Sequence, residues 1–149
     1  MKGTMYSVIL AAVDETSRSE GVLNAALAIA ERFDGQVHLF RAVTVPPSIP
    51  PAAATEPDLF PAQMEARVRK SLEALAARRR RIVIEPPDLD TAQPWQAILA
   101  AARRVRAELI VIGSHGFGGW DRILATNAAK VADHADCHVL VVHEPPLVP

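Results

Sequence analysis

Apolar positions along the chain follow two different spacings. Short, predominantly apolar segments at 7–13, 37–45, 82–84, 109–112 and 139–142 are typical of strands, and the run at 109–112 suits a strand that is buried on both faces. Between these runs, apolar residues recur every three or four positions, as they do on one face of an amphipathic helix. The pattern therefore predicts five strands and four helices in strict alternation.

This alternation predicts the architecture. Crossover connections between successive strands are right-handed in nearly all cases, and they produce a largely parallel sheet with helices on both faces. The chain has 149 residues, of which 50% are hydrophobic, which is enough for one sizeable core. We therefore expect a single α/β domain over residues 1–149 with a doubly wound sheet.

Local signals mark the helix ends and one long connection. Ser17 and Glu20 fit a capping box, Gly35 fits a left-handed stop residue, and Pro94 is placed to open a helix. The segment at about 45–61 holds six of the twelve prolines, so it cannot sustain a helix or a central strand. We predict a long surface loop there, either a functional cover or a disordered connection.

Charge and cysteine content narrow the class of protein. With 16 basic and 17 acidic residues, the net charge of -1 gives no general attraction to nucleic acid or anionic membranes. A single cysteine, Cys137, excludes an intramolecular disulfide, and no leader-like segment precedes the first strand. No apolar stretch approaches the roughly 20 residues that cross a bilayer. We therefore expect a soluble cytoplasmic protein with no membrane partner.

Two groups of side chains resemble sites for nucleic acid or for a metal ion, but their sequence context supports neither function. The basic runs at 78–81 and 103–106 have no interleaved aromatic residues, so nucleic acid is not an expected partner. His138 and His143 are an odd number of positions apart, so on a regular strand their side chains point to opposite faces. Together with His134 and Cys137 they therefore do not converge as metal ligands must, and no metal site is predicted.

A glycine-rich loop follows the fourth strand. Four glycines lie within 113–119, directly before a predicted helix. Glycines allow positive φ and close approach of a ligand, while the helix N-terminus offers unpaired N–H groups and a positive dipole end. The loop suits a phosphate, although a turn that only needs permissive residues gives the same pattern.

Three segments of the second half resemble the universal stress protein family: 113–116 (Gly-Ser-His-Gly), 121–126, and 134–142 with its closing Val-Leu-Val-Val. The agreement begins at Val13-Asp14 and includes 94–98, so it extends over nearly the whole chain. The resemblance implies an adenine-nucleotide-binding-like fold with strand order 3-2-1-4-5. It also implies a homodimer that pairs through the last strand, and a branch of the family that binds ATP.

The resemblance also implies where a nucleotide would bind. The ATP-binding branch carries a glycine, two residues, a second glycine, nine residues, a third glycine, and then Ser or Thr. In this chain only eight residues separate Gly116 from Ala125, and Ala125 stands in place of the third glycine. Asp14 and Ala42 would then lie near adenine and ribose. The remaining implied site residues surround the phosphates: Gly113, Ser114, His115, Gly116, Gly119, Ala125, Thr126 and Asn127.

The strand order that the resemblance implies also places a binding crevice. In this strand order a ligand binds beyond the carboxyl ends of strands 1 and 4, which Asp14 and Gly113 terminate. A structural role for Asp14, as the acceptor of a loop N–H bond or in capping the first helix, fits the sequence as well as a role in ligand binding. Neither a Walker lysine nor a G-x-G-x-x-G fingerprint is present, so any ATP hydrolysis should be slow and no catalytic residue is predicted.

The sequence thus supports one main function and two alternatives. The main hypothesis is a stress-response sensor or switch that binds ATP, with ADP or AMP as other candidates and Mg as a possible companion. The first alternative is a dimeric interaction scaffold that binds no nucleotide, which the shortened loop favours. The second alternative is a slow ATPase.

Overall fold

The computed structural model describes residues 5–16, 18–43, 59–89, 93–114 and 127–143. Within these ranges five strands alternate with four helices. The strands are β1 (Val8–Ala12), β2 (Gln36–Phe40), β3 (Ile82–Ile84), β4 (Leu109–Gly113) and β5 (His138–Val142). The helices are α1 (Arg18–Phe33), α2 (Leu59–Ala76), α3 (Pro94–Val105) and α4 (Asn127–His134). The predicted alternation is confirmed, and Pro94 opens α3 as expected.

The strands form one parallel sheet in the order β3-β2-β1-β4-β5. In the central strand, Ile9 is paired with Val37 of β2 on one side and with Leu109 of β4 on the other. This is the strand order that the family resemblance implies. The α/β class, the parallel sheet and its order are all confirmed.

The sheet is covered on both faces because side chains of β1 alternate between two cores. Ile9 and Ala11 point to the layer formed by α1 and α2, while Leu10 and Ala12 point to the layer formed by α3 and α4. Ile9, Leu10 and Ala11 have no exposed surface. A strand buried on both faces must read as a continuous apolar run, which explains the pattern at 7–13.

The end of α1 differs from the prediction by one residue. Asp34, at φ 57°, is in the left-handed region, whereas Gly35 is the next residue and donates its N–H to the Ala30 carbonyl oxygen at 2.8 Å. Gly35 is required for another reason, because a Cβ there would collide with the carbonyl oxygen of Tyr6. The prediction of Gly35 as the left-handed residue was therefore wrong, although the helix does end there.

Two predicted boundaries also shift. α2 begins at Leu59, so residues 59–61, which the sequence assigned to the loop, belong to its first turn. Proline is tolerated at Pro61 because N–H groups in the first turn of a helix have no acceptor within the helix. β2 ends at Phe40, where its pairing with β1 also ends, and beyond it Ala42 forms a single bridge with Asp88. The rest of the proline-rich segment, 44–58, and Ser17 of the predicted capping box lie outside the described residues.

Candidate functional site

A crevice opens where the carboxyl ends of β1 and β4 lie side by side. The chain leaves β1 toward α1 on one face of the sheet, whereas α4, which follows β4, packs on the other face. Connections that diverge in this way leave a gap beyond the strand ends. The gap is a cavity of about 220 Å³, lined by Ala12, Val13, Asp14, Ala42, Pro94, Ile98, Ile112, Gly113 and Asn127.

Four of the ten predicted site residues line this cavity: Asp14, Ala42, Gly113 and Asn127. They come from four separate segments, at the ends of β1 and β4, beyond the end of β2, and at the start of α4. Ser114 adjoins Gly113 at the mouth. The other five, His115, Gly116, Gly119, Ala125 and Thr126, lie outside the described residues.

The cavity has an apolar floor and a polar rim. Ile98 and Ile112 are 6% and 5% exposed and form the floor, while the Asp14 carboxylate and the Asn127 amide lie at the rim. Ala42 and Gly113 contribute almost no side-chain volume. Such an arrangement accepts a flat apolar ring and offers a few polar groups to orient it.

Gly113 also has a packing role. A Cβ built on it would lie 3.3 Å from Cγ2 of Val22, so α1 approaches the end of β4 closely. A distance this short would force the Val22 side chain to shift by a few tenths of an ångström. Gly113 is therefore suited to this position whether or not a ligand is bound.

Asp14 organises the turn that enters α1. Its Oδ1 accepts the Thr16 N–H at 2.8 Å and the Thr16 hydroxyl at 2.6 Å. The Asp14 N–H in turn donates to Oγ of Ser19 at 3.1 Å. The interpretation of Asp14 as the acceptor of a loop N–H is therefore correct, and the same carboxylate lies at the cavity.

Three contacts of Ser114 at the mouth of the crevice were not predicted from the sequence. Nη1 of Arg18 donates to the Ser114 carbonyl oxygen at 3.0 Å, which links the start of α1 to the end of β4. Oγ of Ser114 lies 3.0 Å from Nδ1 of His143, and the Ser114 N–H donates to the Val142 carbonyl oxygen at 2.8 Å. Ser114 thus contacts a histidine that lies just after β5.

A larger cavity of about 580 Å³ lies on the other side of Asp14, between α1 and α2. Arg41 lines it with only 6% of its surface exposed and forms an ion pair with the exposed carboxylate of Glu15. A buried guanidinium requires such a partner. Arg41 is thus a second charged residue near the crevice that the sequence reasoning did not single out.

The histidine, cysteine and carboxylate side chains of the described ranges do not gather into a metal site. Among those residues, no three histidine, cysteine, aspartate or glutamate side chains lie close enough together to hold a metal ion. His138 instead lies 2.8 Å from the Tyr6 hydroxyl through Nδ1, and His134 lies 2.9 Å from the Lys130 carbonyl oxygen. No helix in the described part of the chain has both the length and the apolar character to span a membrane.

Comparison with known proteins identifies relatives of this chain. A sequence model of the universal stress protein family matches residues 5–143. Universal stress protein A homolog 1 of Coxiella burnetii is 26% identical over 144 residues, which cover 92% of this chain and 96% of that protein.

Two solved structures share the fold. A universal stress protein in complex with cAMP matches with a TM-score of 0.63 and 20% identity, over 93% of this chain and 98% of that one. The universal stress protein from Archaeoglobus fulgidus in complex with dAMP matches with a TM-score of 0.57 and 20% identity, over 92% and 98% of the two chains. At these identities the likeness establishes the fold alone.

Proposed function

Because the chain belongs to the universal stress protein family, we propose that it binds an adenine nucleotide in the crevice between β1 and β4 and acts as a sensor or switch. The observation that carries this proposal is the cavity of about 220 Å³ at the point where the strand order reverses. Four residues that the family resemblance assigned to a nucleotide line that cavity. ATP is the first candidate ligand, followed by ADP and AMP.

The ligands of two structural neighbours support the ligand class. One neighbour is a complex with cAMP and the other a complex with dAMP. Both ligands carry adenine, a sugar and one phosphate. We therefore expect adenine and a phosphate to be the groups that this chain recognises, with Mg²⁺ accompanying a triphosphate mainly through the phosphate oxygens.

The apolar floor and the polar rim divide the task of recognition. Adenine would pack against Ile98 and Ile112, with Asp14 and the main chain near Ala42 orienting its edge and the ribose. The phosphates would extend toward Ser114 and the residues after it. There the family pattern assigns His115, Gly116, Gly119, Ala125 and Thr126 to phosphate binding, largely through main-chain N–H groups.

The last strand provides a surface for a homodimer. β5 is an edge strand, and among the described residues β4 is the one strand paired with it. Leu140 is 37% exposed, and Val139 and Val141 are half-buried. Because an apolar edge is prone to pair with another strand, we propose that two copies of this chain associate through β5.

A scaffold that binds no nucleotide is the alternative function. One structural observation favours this scaffold function: two of the residues that line the crevice, Asp14 and Gly113, also have roles that need no ligand. Asp14 accepts bonds from Thr16, and Gly113 accommodates Val22. The shortened glycine pattern points in the same direction. Under this alternative the dimer itself would be the functional unit.

Calorimetry with ATP, ADP and AMP tests the proposal. Ala42→Leu would add a bulky side chain to the cavity and should weaken binding at least about tenfold, whereas Ala100→Leu on the exposed side of α3 should leave it unchanged. Gly116→Val should weaken binding and Ala125→Gly should not. If the unmodified chain shows no affinity for any of the three nucleotides at millimolar concentration, the scaffold function replaces this proposal.

A further inference from the structure

A separate cavity of about 240 Å³ lies near the opposite end of β4. Its floor is formed by Leu99 and Ala102 of α3 and Ile110 of β4, which are 5%, 6% and 0% exposed. It shares no lining residue with the crevice. Cys137, in the turn that enters β5, forms part of its wall. The floor is therefore apolar, and the site is independent of the proposed nucleotide site.

Charged groups surround the mouth of this cavity. Nε of Arg103 donates to Oδ2 of Asp136 at 2.9 Å, so this guanidinium already has a carboxylate partner. Arg106 is exposed, and among the described residues none forms an ion pair with it. Two guanidinium groups and one carboxylate leave the mouth with a net positive charge.

The end of α3 does not cancel this charge. Helix C-terminal carbonyl groups ordinarily disfavour an anion. Here the Ala102 carbonyl oxygen accepts the Ala107 N–H at 2.8 Å, and the Arg103 carbonyl oxygen accepts the Arg106 N–H at 3.2 Å. Two of the last carbonyl groups of α3 are thus already bonded. The full positive charge of a guanidinium group also exceeds the partial charge of a helix C-terminus, which is roughly half a charge.

We propose that this cavity binds a small monocarboxylate, whose apolar body fills the floor and whose carboxylate pairs with Arg106. An apolar cavity of about 150 Å³ takes up benzene, so the larger volume here suits about ten non-hydrogen atoms. Octanoate has that size, and 3-phenylpropanoate is an aromatic ligand of similar size. Guanidinium groups match carboxylates in geometry as well as charge.

Cys137 provides a direct reporter of occupancy. It is the only cysteine of the chain and lines the cavity, so a bound ligand shields its sulfur from alkylation. Burial raises the pKa of the Cys137 thiol, and the neighbouring Asp136 carboxylate raises it further. Alkylation by iodoacetamide is therefore best followed at one fixed alkaline pH, with and without ligand.

The expected protection follows from the size of the ligand. Ten atoms of ordinary ligand efficiency give a dissociation constant of about 1 mM, so about 10 mM octanoate should slow alkylation about tenfold and saturably. 3-Phenylpropanoate should protect similarly. Octanol should protect Cys137 less than octanoate does, because it has no negative charge to pair with Arg106. Octylamine should also protect less, because the guanidinium groups repel its positive charge. Acetate should not protect Cys137, because it has no apolar chain to fill the floor.

Arg106→Gly separates charge recognition from folding. Arg106 has φ 57°, a left-handed conformation that glycine adopts without strain, so the variant loses the guanidinium while keeping the helix end. Arg78→Gly is the matched control, because Arg78 is an exposed arginine with φ 64° just after α2. Octanoate should bind Arg106→Gly about tenfold more weakly and Arg78→Gly as well as it binds the unmodified chain.

The outcomes are distinct. Saturable protection by octanoate that is lost selectively in Arg106→Gly supports the proposal, as does loss of protection by both octanoate and octanol in Ala107→Leu, which narrows the cavity. Lack of protection in the unmodified chain overturns the site, and equal protection by octanoate and octanol overturns carboxylate recognition. Circular dichroism verifies that each variant is folded, and none of these results bears on nucleotide binding in the crevice.

Discussion

The guanidinium group of Arg18 donates a 3.0 Å hydrogen bond to the main-chain carbonyl oxygen of Ser114, although the two residues are 96 positions apart. Arg18 begins α1 and Ser114 directly follows β4. Nε of Arg18 also lies 3.4 Å from Oγ1 of Thr16, whose hydroxyl donates to Asp14. Polar contacts therefore connect the two walls of the crevice at its mouth.

Arg18→Ala should loosen the end of β4. Loss of a charged hydrogen bond to the Ser114 carbonyl should raise hydrogen exchange at the Ser114 amide about tenfold, even without nucleotide. If the crevice holds a nucleotide, its affinity should fall by a similar factor. Arg32→Ala, an exposed arginine in the last turn of the same helix, is the control. Unchanged exchange at Ser114 would show that the contact does not position this segment.

Gly35→Ala should destabilise the fold, because the new Cβ would collide with the Tyr6 carbonyl oxygen. We expect the free energy of unfolding to fall by about 2–3 kcal/mol, as it does when atoms are forced into a packed region. Gly21→Ala is the matched control. Its Cβ would lie 4.0 Å from Cγ1 of Val142, the nearest heavy atom, and alanine in a helix interior should add about 0.5–1 kcal/mol. Urea denaturation that gives the same sign for both variants would contradict this expectation.

Leu140→Lys should dissociate the proposed dimer. A lysine on the exposed side of β5 would introduce charge into an apolar strand–strand contact, and the like charge of the second copy would face it. Val83→Lys places the same charge on β3, the other edge of the sheet, and should leave the sedimenting mass of the dimer unchanged. Sedimentation velocity at micromolar concentration measures both. A monomeric unmodified chain, or a Leu140→Lys dimer of undiminished stability, would argue against pairing through β5.

Much of the fold could be predicted from the sequence because its strongest signals are local. A strand covered on both faces must be apolar throughout, as β1 and β4 are, and a proline such as Pro94 is well suited to a helix start. The position of the left-handed residue after α1 could not be predicted in this way. It depends on how closely Gly35 approaches Tyr6, which is a tertiary contact.

Some residues of the candidate site could likewise be predicted from the sequence, and others could not. Asp14 and Gly113 were found because the strand order that the family resemblance implies makes β1 and β4 parallel neighbours, whose carboxyl ends lie side by side. Arg18, Arg41 and His143 were not found, since their contacts depend on side-chain direction across segments distant in sequence. The roles assigned to His115, Gly116, Gly119, Ala125 and Thr126 remain predictions.

The position of β1 in the middle of the sheet has a consequence for how the chain is made. Ile9 is paired with Leu109, one hundred positions later, so β1 leaves the ribosome well before β4, one of its two neighbours in the sheet. At about 5–20 residues per second, that delay is roughly 5–20 s. During this time one backbone edge of an apolar strand stays without its final partner. Slow, late-closing folding of this kind exposes the nascent protein to aggregation, and it makes assistance during synthesis most valuable before β4 emerges.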